Sequence, residues 1–107
     1  MPMIEEIDVT ELQTRLASDE NIRLIDVRTQ AEWDQGIIEG GEFMPVDTVP
    51  AHLNDFSNDV TNIIYCRSGI RSAQACMFLE EHAGIKAINV KGGIIAWHHA
   101  GGTIIRP

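Results

Sequence analysis

Two periodicities alternate along this chain. Short runs of apolar residues are separated by stretches in which apolar positions return every three or four residues, the spacing of one helix face. Glu6-Ile7-Asp8-Val9 predicts a first short strand. Thr10-Glu11-Leu12-Gln13 has the form of a capping box, with Thr10 as N-cap of a helix reaching about Ala17 and burying Leu12 and Leu16. Arg23-Leu24-Ile25-Asp26-Val27 reads as a buried strand, and Thr29-Gln30-Ala31-Glu32 as a second capping box opening a short helix that carries Trp33. Gly36, Gly40 and Gly41 predict a loop, and Pro45 and Pro50 flank a further irregular stretch. From Val60 to Tyr65 the chain is mainly apolar, and Ile63, Ile64 and Tyr65 run straight into Cys66, so a central strand is expected there. A helix from about Ile70 to His82 follows, with Ala73, Cys76, Leu79 and Ala83 on one face and Gly84 as its C-cap. Lys86 to Val90 is another strand, Gly92-Gly93 a turn, and Ile94 to His99 a last short helix. This order is the pattern of an α/β fold on a mostly parallel sheet.

Nothing divides the pattern into two. There is no internal repeat, low-complexity tract or linker, and 107 residues fit one domain, 1–107, able to bury a real core without staples. With 44% hydrophobic and 22% charged residues, the composition is that of an ordered domain rather than a disordered one. No apolar run approaches the roughly 20 residues that span a bilayer. The N-terminal run MPMIEEIDVTELQ places acids where a secretory signal would carry basic residues and an apolar stretch. A cytoplasmic location is expected, with an earlier leader left open. The formal charge of −8 argues against nucleic acid and anionic membranes as partners, since both are bound largely through Lys and Arg. Two cysteines ten positions apart suit neither a disulfide framework nor a zinc site, and four scattered histidines add no ligand cluster, so no metal or cofactor is expected.

The segment Ile63-Ile64-Tyr65-Cys66-Arg67-Ser68-Gly69-Ile70-Arg71-Ser72 carries the chemistry. A buried strand delivers a cysteine to its C-terminal end, the edge at which open α/β sheets bind ligands. A loop this short ahead of a helix can curl so that successive N–H groups face inward and bind an anion, and Gly69 permits the curl. Arg67 and Arg71 add local positive charge to an acidic chain. The setting predicts a Cys66 pKa below the ordinary thiol range and a nucleophilic thiolate. A cysteine there for packing alone would need neither the glycine nor two arginines within five residues.

The run Cys66-Arg67-Ser68-Gly69-Ile70-Arg71-Ser72 resembles the active-site loop of the rhodanese family of sulfurtransferases. Leu24-Ile25-Asp26-Val27-Arg28 with Glu32-Trp33 and Gly36-Ile37-Ile38-Glu39-Gly40-Gly41 resembles the family's N-terminal pattern. Val90-Lys91-Gly92-Gly93-Ile94 with Ala96-Trp97 and Ala100-Gly101 resembles its C-terminal one. The likeness runs from about Glu6 to Thr103. It implies an α/β, rhodanese-like fold: a five-stranded parallel sheet with helices on both faces. It also implies double displacement, in which Cys66 takes sulfane sulfur from a small anionic donor such as thiosulfate and passes it, as a persulfide, to cyanide or a thiol. Cys66 is then the catalytic residue, and Arg67, Ser68, Gly69, Ile70, Arg71 and Ser72 are the substrate-binding positions. The amides of Arg67 to Arg71 would cradle the sulfur, and the two arginine side chains would bind the donor. Three positions depart from the family pattern. Ile37 stands where His is frequent and Glu39 where Pro is common, both read as loop variation. Ile70 stands where a polar residue is frequent and is expected to line the pocket mouth, favouring an acceptor less polar than cyanide.

Other groups read as scaffold. Cys76 lies about 10 Å along the helix from its start, at ~1.5 Å per residue, too far to resolve Cys66 as a disulfide. The resemblance implies that Asp26 and Arg28 tie a loop to the next helix, and Trp33 and Trp97 read as packing aromatics. His98 and His99, adjacent on a helix, point apart and make a poor metal pair. Two other functions compete. A phosphatase or arsenate reductase also uses a cysteine in an anion-binding loop, but the tyrosine-phosphatase signature places five residues between Cys and Arg, whereas Cys66 and Arg71 enclose four. A non-catalytic regulatory module often lacks the cysteine or the loop arginines, which this chain has. Sulfur relay to a protein partner is consistent with the same site.

Overall fold

Residues 4–107 are described by a computed structural model. Met1 to Met3, part of the segment read for a leader, lie outside the described residues. The alternation of strand and helix is realised as β1 Glu5–Ile7, α1 Val9–Leu16, β2 Ile22–Asp26, α2 Gln30–Gln35, β3 Ile37–Ile38, β4 Gly41–Phe43, a 3-10 helix Val46–Asp55, β5 Thr61–Tyr65, α3 Ile70–Ala83, β6 Ala87–Val90, α4 Gly93–His99 and β7 Ile104–Ile105. Five strands form one parallel sheet in the order β1-β6-β5-β2-β4, so the strand that leads into Cys66 is central.

Both faces of that sheet are covered. Ile64 and Ile25 pack with Val49, Ala75, Cys76 and Leu79, under α3 and the 3-10 helix. Their strand neighbours Ile63 and Leu24 face the other way, packing with Leu12 of α1 and Trp97 of α4. Successive strand side chains point to opposite faces, so a strand buried on both sides reads as an unbroken apolar run. That is why β5 was legible. Among the described residues no helix is long and apolar enough to cross a membrane.

Several local expectations are revised. Asp8 rather than Thr10 caps α1: its carboxylate accepts the Glu11 N–H at 2.8 Å, so the strand ends at Ile7 and the helix starts at Val9. An Asp side chain is among the strongest N-caps, and it displaced the Thr10 box. The Thr29–Glu32 capping box is present, with both reciprocal bonds. The glycine-marked loop contains two strands, since β3 pairs antiparallel with β7 and β4 extends the main sheet. Ile37 is thus a buried ladder residue, paired with Ile105. The buried face of α3 is Ser72, Ala75, Cys76 and Leu79, with Ala73 half-buried and Ala83 exposed. A helix lying across a sheet buries the side the sheet dictates, and two alanines weigh little in that choice. Gly84 terminates α3 in the left-handed conformation, as its position suggested.

Candidate functional site

Cys66 follows the last residue of β5, at the C-terminal edge of the sheet. The chain then curls through Arg67, Ser68 and Gly69 into the first turn of α3. Gly69 sits at φ 104°, which an L side chain rarely adopts, and a Cβ there would stand 3.2 Å from the Gly92 nitrogen and 3.3 Å from the Val90 carbonyl oxygen. The curl therefore needs glycine on two counts. α4 is bolted to the same loop: Ile94 N–H donates to the Cys66 carbonyl at 2.9 Å and Ile95 N–H to that of Arg67 at 3.2 Å. A Cβ on Gly93 would come within 2.5 Å of both carbonyl oxygens.

Two donors converge on the Cys66 sulfur. Gly69 N–H reaches Sγ at 3.1 Å and the buried Ser72 hydroxyl at 3.3 Å. Burial opposes ionisation of the thiol, but the Ser72 hydroxyl and the amides of Ser72, Gly69 and Ser68 outweigh it and bring the pKa below the ordinary thiol value. The cradle is narrower than the expected run from Arg67 to Arg71. It also holds a member expected only as a substrate contact, since the Ser72 hydroxyl touches the Cys66 sulfur itself.

The two arginines part company. Arg71 is committed to Glu32 by two bonds, Nη1 to Oε1 at 2.7 Å and Nη2 to Oε2 at 2.8 Å. This pair raises the Arg71 pKa and holds the Glu32 carboxyl at about 2. Its charge is thus paired within the protein, with the side chain still partly exposed. The exposed Arg67 guanidinium has no hydrogen-bond or ion-pair partner among the described residues. Arg28 is buried against Asp26, with Nη2 to Oδ2 at 2.7 Å, and also donates to the Gly36 carbonyl at 2.7 Å. Burial works to lower its pKa, and the Asp26 carboxylate more than restores it. The pair ties the β2 end to the end of α2, as expected of scaffold.

Beside the loop lies a cavity of about 340 Å³ whose wall includes Arg28, Glu32, Arg67, Ile94, Ile95 and Ile104. That volume is at the lower end for small-molecule sites. Cys66 is 1% exposed and is not part of this wall. Ile70 is not in the wall either; at 68% exposed it stands on the open surface next to the loop. Cys76 is fully buried, its thiol pushed up to about 12 by desolvation, and both cysteines are free. Trp97 is buried and Trp33 packs on Phe43 at 5.2 Å. His98 and His99 are exposed, and among the described residues no cluster of His, Cys, Asp or Glu is suited to a metal ion. The role of Glu32 on Arg71 had no sequence signal beyond its capping box.

The model of the rhodanese-like domain matches residues 8–100. A sulfurtransferase of Allochromatium vinosum is 41% identical over 105 residues, covering 98% of each chain. Among solved structures, a rhodanese-like domain protein from Staphylococcus aureus aligns with a TM-score of 0.82 at 37% identity, over 88% of this chain and 91% of that one. A rhodanese-related protein from Thermoplasma volcanium aligns with a TM-score of 0.85 at 25% identity, over 94% and 97%.

Proposed function

The chain belongs to the rhodanese-like domain family, whose sulfurtransferase members point to sulfur transfer in general, and from that premise we propose that Cys66 carries sulfane sulfur as a persulfide. The observation that supports this most directly is the pair of donors on Sγ, Gly69 N–H and Ser72 O–H, at the end of the central strand. The Cys66 thiolate attacks the outer sulfur of thiosulfate. The Sγ–S bond forms, the S–S bond of the donor breaks, and sulfite leaves with the bonding pair. In the second half, cyanide or a thiolate attacks the terminal sulfur, and Sγ leaves as the thiolate. No net proton is required in either half. The same inward amides that lower the thiol pKa stabilise the anionic terminal sulfur, as an oxyanion hole stabilises oxygen. Arg67 draws the donor to the mouth of the loop.

Because Cys66 is only 1% exposed, sulfur reaches it only as its surroundings open, which favours small donors over bulky ones. The exposed Ile70 beside the loop favours a second use of the same persulfide, delivery to a docked protein acceptor. Incubation with thiosulfate is expected to add the mass of one sulfur atom to the intact protein, and cyanide to remove it. A Cys66→Ser protein that still gained that mass would refute the assignment.

A further inference from the structure

β5 and β6 each carry a buried asparagine, Asn62 and Asn89, and each leaves its Oδ1 without a partner among the described residues. Burying a half-satisfied amide costs stability that an apolar residue of like shape would not lose. The two spend their Nδ2 groups differently. Asn62 donates to the Ser57 carbonyl at 2.9 Å, before the strand and far along it from Cys66. Asn89 donates to the Gly69 carbonyl at 3.1 Å and to the Glu6 carboxylate at 2.8 Å. Two acceptors on the same atom fix which end of the amide is nitrogen.

We infer that Asn89 is a positioning residue for the nucleophile loop, holding Gly69 so that its N–H stays aimed at the Cys66 sulfur. Gly69 has one peptide on each side: the N–H of the first donates to Sγ and the carbonyl of the second is the one Asn89 grips. With no side chain, Gly69 has little of its own to hold the dihedrals between those two peptides. Among the described residues, its carbonyl otherwise accepts only the helical N–H of Ala73, at 3.2 Å. Glu6, on the neighbouring edge strand, takes the second Nδ2 hydrogen and keeps the amide from rotating away. This role deepens the persulfide reading and rests on it for its meaning in turnover.

The test is the pH dependence of Cys66 alkylation by iodoacetamide, which needs no sulfur donor and so reads the loop whether or not it carries a persulfide. The variant is Asn89→Leu, which fills the same space and leaves no cavity; Asn62→Leu is the matched control. Asn89→Leu is expected to alkylate several-fold more slowly at neutral pH, with its profile displaced to higher pH. Its turnover with thiosulfate is expected to fall in kcat with KM little changed. Asn62→Leu is expected to keep the wild-type alkylation profile. If Asn89→Leu proves too unstable to assay, Asn89→Ala takes its place under the same criterion. An unchanged pH profile in the Asn89 variant, or the same change in both variants, would overturn the positioning role while leaving the persulfide assignment to its own mass test.

Discussion

Burial of Cys66 opposes its ionisation, and close contacts reverse the balance. The Ser72 hydroxyl is the strongest of these, and it is fully buried, so no water replaces it when it is removed. A hydrogen bond to a charged group is worth about 1.5–3 kcal/mol, which corresponds to roughly tenfold or more in the population of the thiolate. Ser72→Ala should therefore slow both alkylation of Cys66 and loading with thiosulfate by about tenfold at neutral pH, with little change in melting temperature. Equal rates in the variant and the wild type would show that the amides suffice. At this scale the sequence was informative about local features. A strand running into a cysteine, and a glycine three residues later, are adjacent in the chain and so mark the loop directly. Glu32 is the counter-example. Its ion pair with Arg71 joins residues on α2 and α3, and nothing in their spacing shows that the topology will bring them together.

Between elements, that ion pair is the clamp that fixes the start of α3 against α2. Glu32 serves twice, closing the capping box of α2 through Thr29 and gripping Arg71 with both oxygens. Its carboxyl is held at about 2, below the ordinary 4.5, chiefly by the Arg71 guanidinium. A depressed carboxyl stabilises the fold fully above its unfolded value and loses that contribution as pH falls from about 4.5 toward 2. The pair is partly solvated, so the contribution is of order 1–2 kcal/mol. Glu32→Gln should lower the melting temperature at neutral pH and narrow the difference from wild type as pH falls through that window, measured by thermal denaturation at several pH values. A constant difference down to the acid limit would count against the clamp. Elements themselves were legible where helical spacing or a double-sided run set the pattern, as in α3 and β5, although only Cys76 and Leu79 of the expected α3 face are buried. β3, β4 and β7 were not, because strands of two or three residues exist only through their partners. α1 began early because two capping residues competed and the acid won.

Over the whole molecule, the charge is −8, yet the proposed donor is a dianion. Around the loop, Arg28 is neutralised by Asp26 and Arg71 by Glu32, leaving Arg67 as the cation without a partner among the described residues. The approach of thiosulfate is then governed by one local attraction set in a broadly repulsive field. Arg67 is exposed, so salt screens its attraction for an approaching dianion as well as the repulsion of the acidic surface, and the nearer charge sets the net response at the loop. Replacing Arg67 with Gln removes the attraction and takes the chain from −8 to −9. The KM for thiosulfate should rise about tenfold, with a neutral persulfide donor affected far less, since that donor has no net charge for the guanidinium to hold. The two proteins should also respond to ionic strength in opposite directions: added salt should slow loading of the wild type by weakening Arg67, and speed loading of Arg67→Gln by screening the remaining acidic surface. Parallel salt responses would mean that the guanidinium does not set the field at the loop. The steering of the donor would then lie with the inward amides alone, whose dipoles act at contact range and leave little for salt to screen.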